Sequence, residues 1–120
     1  MKKILIADDE EVLRMLIVDT LEEDHLQLDE AEDGIEALSL IKKEQYDLLI
    51  LDYMMPEKSG IEVLMETRKL AIPQPKVLML TAKSQQKDQD EMYKEGANYF
   101  LAKPFSPIEL LSIVEDMLGD

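Results

Sequence analysis

The sequence predicts an α/β fold: a single doubly wound domain with five parallel strands in one sheet and helices on both faces. Three observations predict it. Five short apolar runs alternate with longer amphipathic stretches along the whole chain, no repeat, low-complexity segment or linker interrupts them, and four of the runs are apolar throughout. Strands buried on both faces have that composition. With 120 residues, 46% of them hydrophobic, the chain suits one domain over residues 1–120 and one sizeable core.

The strands are expected at residues 4–7 (ILIA), 26–31 (LQLDEA), 48–51 (LLIL), 77–80 (VLML) and 99–102 (YFLA). Gln27, Asp29 and Glu32 make the second one alternate, as an edge strand does. The first helix follows from Val12, Leu13, Leu16, Ile17 and Leu21 at three- and four-residue spacing, and the last from Ile108, Leu111, Val114 and Leu118. Gly34 opens a shorter helix carrying Ala37, Leu38 and Ile41, and Ser59 is a good N-cap for one carrying Ile61, Leu64 and Met65. Residues 84–95 offer only Met92 and Tyr93 as large anchors, so that helix is expected to pack loosely and to move.

Composition excludes several chemistries. Without cysteine there is no disulfide framework, thiolate metal site or cysteine nucleophile. The run after Lys2 and Lys3 ends at Asp8, too short for a signal peptide, and nothing approaches the roughly 18 apolar residues of a membrane span. A cytoplasmic protein without a membrane partner is expected. Acidic residues outnumber basic ones 27 to 13, for a net charge of −14, which repels phosphate backbones and argues against direct nucleic-acid binding. His25, the one histidine, has no histidine partner for a metal site and is expected at the surface.

Ligands of parallel sheets bind outside the carboxyl ends of the strands. There the sequence has Asp8, Asp9 and Glu10 after the first strand, Asp52 after the third, Thr81 after the fourth, and Lys103 with Pro104 after the fifth. Each has an ordinary use alone. The first acids can complement a helix N-terminus, Asp52 can cap a loop, Thr81 can serve a turn and Lys103 can be solvated. Together at one rim they fit those uses poorly. Two carboxylates about 4 Å apart repel by roughly 4 kcal/mol at an effective dielectric near 20, so Asp8, Asp9 and Asp52 need more than Lys103 to stay ionised together. An oxygen-ligated divalent cation, Mg2+ or Mn2+, meets that need. Asp52 can then attack phosphorus, with Lys103 and the Thr81 hydroxyl on the phosphoryl oxygens.

With ILIADDE, LLILDYMMPEKSG, LMLTAK and GANYFLAKPF in this order and spacing, the chain resembles a response-regulator receiver domain from residue 3 to about residue 118. The resemblance implies the strand order 2-1-3-4-5. It also implies that Asp52 accepts a phosphoryl group from a sensor histidine kinase or a histidine phosphotransfer protein. Asp9, Asp52 and the Met54 backbone carbonyl would hold Mg2+, with Asp8 acting through water. Lys103–Pro104 would be cis, and Gly60 would open the third helix. Thr81 and Phe100 would switch the face made by the fourth helix, fifth strand and fifth helix, while Met54 and Lys83 would tune dephosphorylation. Phosphate turnover would be self-catalysed, which is not enzyme activity in the usual sense.

Ile113 and Glu115 stand where winged-helix regulators of the family often carry arginines for a dimer. The chain would therefore act alone, on a downstream output partner, or belong to a longer protein with an output domain. A haloacid-dehalogenase-like phosphatase needs an aspartate where Met54 stands, and the glycines at 34, 60, 96 and 119 form no phosphate loop for a flavin carrier or nucleotide hydrolase. The remaining alternative is an interaction module of the same fold that works without phosphorylation.

Overall fold

The computed structural model describes residues 1–23, 25–82 and 86–119, with only the backbone of Gln86. Ten elements alternate: β1 (Lys2–Ala7), α1 (Glu11–Leu21), β2 (Leu26–Ala31), α2 (Gly34–Lys43), β3 (Leu48–Asp52), α3 (Gly60–Arg68), β4 (Lys76–Thr81), α4 (Gln86–Lys94), β5 (Tyr99–Ala102) and α5 (Pro107–Leu118). Every strand pairing is parallel, and the order is β2-β1-β3-β4-β5, as the sequence and its resemblance lead one to expect.

Burial explains the order. All five residues of β3 are buried, so this strand takes the centre, while the alternating β2 takes an edge. Side chains of successive strand residues point to opposite faces, which divides the core in two. Leu5, Leu49, Leu51, Val77 and Met79 pack with α2, α3 and Met92 of α4. Ile4, Ile6, Leu48, Ile50, Leu78 and Leu80 pack with α1 and α5 on the other side.

The helix starts are chemically explicit. Ser59 and Glu62 form a capping box at α3, Ser106 and Glu109 form another at α5, and Asp33 caps α2 through the Glu36 N–H. These caps fix where each helix leaves the rim. Among the described side chains of α4, Met92 is the only buried one and Tyr93 is largely exposed, so the helix has few anchors; Ser84 lies outside the described residues.

Leu13, Ile17 and Leu21 of α1 and Leu111, Val114 and Leu118 of α5 pack on the core as read from the sequence, but both stripes miss at their first residue. Val12 is 80% exposed and Ile108 81%, and the buried residues are Arg14, Ile17 and Leu21 in α1 and Leu110, Val114 and Met117 in α5. At 3.6 residues per turn, Val12 lies about 200° around the helix from Arg14, and Ile108 the same from Leu110. Leu16 and Met65 are also exposed. Both helices hold more apolar residues than the sheet can cover, and those nearly opposite the sheet are left exposed. Among the described residues no helix is long and apolar enough to cross a membrane.

Candidate functional site

Strand alternation builds the site. Residues 4, 6 and 8, residues 48, 50 and 52, and residues 101 and 103 point to the α1/α5 side of the sheet, so three strand ends deliver Asp8, Asp52 and Lys103 to one place. Lys103 Nζ donates to Asp52 Oδ1 over 3.0 Å and lies 3.6 Å from Asp8 Oδ2 and 3.5 Å from Glu10 Oε1. The carboxylates of Asp8, Glu10 and Asp52 each place an oxygen within 4.8 Å of the others. Three acids thus face one lysine.

Asp8 and Asp52 are buried, at 0% and 4% exposure, and burial dominates their chemistry. It pushes the Asp52 carboxyl up to about 6; the Lys103 hydrogen bond and the Met54 N–H oppose this, and the charge of Asp8 adds to it. Burial likewise raises Asp8, against the Glu10 N–H that donates to its Oδ1 over 2.8 Å. Burial alone pulls Lys103 down, but the Asp52 hydrogen bond and the charges of Asp52, Asp8 and Glu10 outweigh it and leave it raised.

The surrounding loops hold these groups in place. Lys103 N–H donates to the Thr81 carbonyl over 2.8 Å, continuing the β4–β5 pairing to the rim, and the Lys103–Pro104 peptide is cis, as expected. Thr81 is buried at the end of β4, one residue beyond the partner of Asp52 in the ladder. A Cβ on Gly60 would stand 2.3 Å from the Asp52 carbonyl oxygen, so only glycine lets α3 start this close to β3. Phe100 is half-buried, its ring meeting Tyr93 edge-on with centroids 5.9 Å apart. Met54 is 67% exposed, and Lys83 lies outside the described residues.

The sequence places Glu10 at the rim without giving it a part in the cation site, and it does not single out Arg14. Glu10 joins Asp8 across the bend at Asp9, where the Glu10 N–H turns back to donate to Asp8 Oδ1; Asp9 is exposed and is not one of the three clustered acids. Arg14 is buried below Asp8, and its place in the Arg14, Ile17, Leu21 stripe was the available signal.

The residues present suit a hard divalent cation. Among the described residues Asp8 Oδ2 is buried without a hydrogen-bond partner, and its neighbours are carboxylate oxygens in excess over cations. An oxygen in that position is stabilised by a positive ligand.

Residues 4–115 match the family model of the response regulator receiver domain. The transcriptional regulatory protein ResD of Bacillus subtilis is 40% identical over 117 residues, which cover 97% of this chain and 48% of that protein. SrrA of Staphylococcus aureus is 37% identical over 116 residues, covering 97% and 47%. The chain spans about half the length of the curated relatives it matches. Among solved structures, the receiver domain of Francisella response regulator 1452 superposes with a TM-score of 0.90 at 36% identity, covering 98% of this chain and 96% of that one. The chemotaxis response regulator CheY4 of Vibrio cholerae gives 0.91 at 32% identity, covering 98% and 99%. With the strand order, the acid cluster and nearly the whole length in agreement, the chain belongs to the response regulator receiver domain family of two-component systems.

Proposed function

We propose that residues 1–120 form one receiver domain that takes a phosphoryl group on Asp52 from a phosphohistidine of a sensor histidine kinase or histidine phosphotransfer protein. The observation that carries this reading is the buried Asp52 carboxyl, 3.0 Å from Lys103 Nζ at the active rim of the sheet. A carboxylate oxygen of Asp52 attacks phosphorus while the phosphorus–nitrogen bond breaks, and the imidazole leaves with the bonding pair. Asp52 becomes an acyl phosphate. Lys103 stabilises charge on one phosphoryl oxygen, and the Thr81 hydroxyl serves another. Attack by water on the same phosphorus returns the carboxylate and inorganic phosphate, so the chain turns over its own modification and no separate substrate. By the family resemblance, the residues at positions 54 and 83 would tune that hydrolysis.

Asp9, Asp52 and the Met54 carbonyl, with Asp8 through water, are proposed to hold Mg2+ or, in its place, Mn2+. Asp8 Oδ2, which has Lys103 at 3.6 Å but no hydrogen bond among the described residues, and the excess of carboxylates support a cation there. Bound, it supplies positive charge toward the phosphoryl oxygens.

Phosphorylation draws Thr81 toward Asp52, turns Phe100 inward and alters the α4-β5-α5 face for an output partner. That partner is a separate protein or an output domain on a longer chain. The curated relatives, transcriptional regulators about twice as long, support the second form. With a charge of −14 this segment itself does not touch nucleic acid, and it works in the cytoplasm. A groove of 460 Å³ beside Lys103, lined by Val12, Leu13, Leu16, Pro104 and Phe105, supports a protein as the phosphoryl donor.

Intact mass after incubation with acetyl phosphate, with and without Mg2+, tests the reading. One added phosphoryl group is expected in the wild type with Mg2+, and none in Asp52→Asn. No gain in folded, Mg2+-binding protein would favour the phosphorylation-independent interaction module instead.

A further inference from the structure

We infer that Arg14 is a positioning residue of the cation site, acting through the backbone carbonyl of Asp8. The inference rests on the cation reading above. The β1–β2 ladder ends with the pair Ala7 and Ala31, so the Asp8 carbonyl has no strand N–H to receive. A buried carbonyl needs a donor. Arg14 Nη1 supplies it over 2.7 Å.

The other polar atoms of Asp8 show what this bond completes. Its N–H donates to the Ala31 carbonyl over 3.1 Å, and its Oδ1 accepts the Glu10 N–H over 2.8 Å. Only Oδ2 has no hydrogen bond. With N–H, C=O and Oδ1 each committed, Oδ2 is left directed at the cluster with Asp52 and Glu10. Releasing the carbonyl would let the peptide after Asp8 rotate and carry the carboxylate with it.

Arg14 is itself held for this task. It is 7% exposed, its Nε donates to Glu30 Oε1 over 2.9 Å, and its Nη2 lies 3.6 Å from Glu32 Oε1. The two glutamates neutralise a guanidinium that would otherwise repel a cation from below. The planar fork reaches β2 and the Asp8 carbonyl at once, which a lysine with one nitrogen cannot do. Groups that orient the ligands of a metal ordinarily change its affinity by about 10- to 100-fold when lost.

The test is calorimetric Mg2+ titration of the wild type, R14M, R14K and E30Q, each shown to be folded by circular dichroism, with urea unfolding in EDTA measured alongside. R14M is expected to bind Mg2+ about tenfold more weakly, and R14K, which keeps one donor, about threefold more weakly. In a D8A background the R14M loss should shrink below twofold, because the carboxylate that Arg14 positions is gone. Lower urea stability with unchanged Mg2+ affinity, or an equal R14M loss in D8A, would overturn the inference and leave Arg14 a structural residue. Should R14M not fold, E30Q, altered only at a half-exposed side chain, takes its place, with a two- to threefold loss expected and no loss overturning the inference. A wild type that binds no Mg2+ would overturn the cation reading and this inference with it.

Discussion

The Lys103 ammonium donates to Asp52 Oδ1 across 3.0 Å, although 51 positions separate the two residues in the chain. The bond does not offset the burial of Asp52, whose carboxyl remains pushed up to about 6. A folded state that binds this proton more tightly than the unfolded chain is stabilised at low pH and penalised above it.

The first prediction follows from that sign. Without Mg2+, the wild type should lose stability relative to Asp52→Asn as pH rises from about 4 to about 6, the window between the ordinary and the raised value. The gap should reach on the order of 2 kcal/mol and stay constant to pH 8. Urea unfolding of both proteins across this range measures it. Saturating Mg2+ at pH 7 should narrow the gap, since the ion stabilises the ionised carboxylates.

A second prediction separates the acids after β1. Asp9→Asn should weaken Mg2+ binding about tenfold or more, as expected of a direct ligand. Glu10→Gln should change it by less than about threefold, because the Glu10 side chain is 64% exposed and solvent screens it. Calorimetric titration decides between them, and the reverse order would make Glu10 the ligand in place of Asp9.

Gly60→Ala should be costly. Its Cβ would meet the Asp52 backbone at 2.3 Å, so α3 must move away from β3 at a cost of about 2 kcal/mol or more. Urea unfolding should show the loss, and phosphorylation by acetyl phosphate should slow in parallel because Asp52 moves with its carbonyl.

Phe100→Ala should separate chemistry from output. The ring packs in the core layer on the other face of the sheet from the acid cluster, so phosphorylation of Asp52 by acetyl phosphate should stay within about twofold. Loss of its edge-on contact with Tyr93 should reduce stability by roughly 1 to 2 kcal/mol. Hydrogen exchange of α4 should change on phosphorylation in the wild type and less than half as much in the variant.

Strands and strand ends were legible in the sequence because burial on both faces leaves a dense apolar signature that polar rim residues interrupt sharply. Asp52 after LLIL is the clearest case. Helix faces were less legible, since Val12 and Ile108 satisfy the helical period as well as the residues the sheet buries. Period alone does not say which side of an apolar-rich helix meets the sheet. Arg14 was missed for a related reason: a charged residue on a buried stripe makes sense only once the Asp8 carbonyl, Glu30 and Glu32 are seen around it. Glu10 entered the cluster through a bend at Asp9 that composition does not announce.

The division of the core by the sheet bears on how a signal can leave the site. Asp8, Asp52 and Lys103 project toward the α1/α5 layer, whereas Thr81 shares the alternation of Val77 and Met79 and, like Phe100, belongs to the layer containing α4. The ladder that pairs Met79 with Phe100 and Thr81 with Ala102 is a rigid partition between them. On the proposed reading, a change at Asp52 has a short crossing among the described residues, over the top of β4 at Thr81. Substitutions deep in either layer can alter stability while leaving that crossing intact, so robustness of the fold and sensitivity of the output are set by different residues.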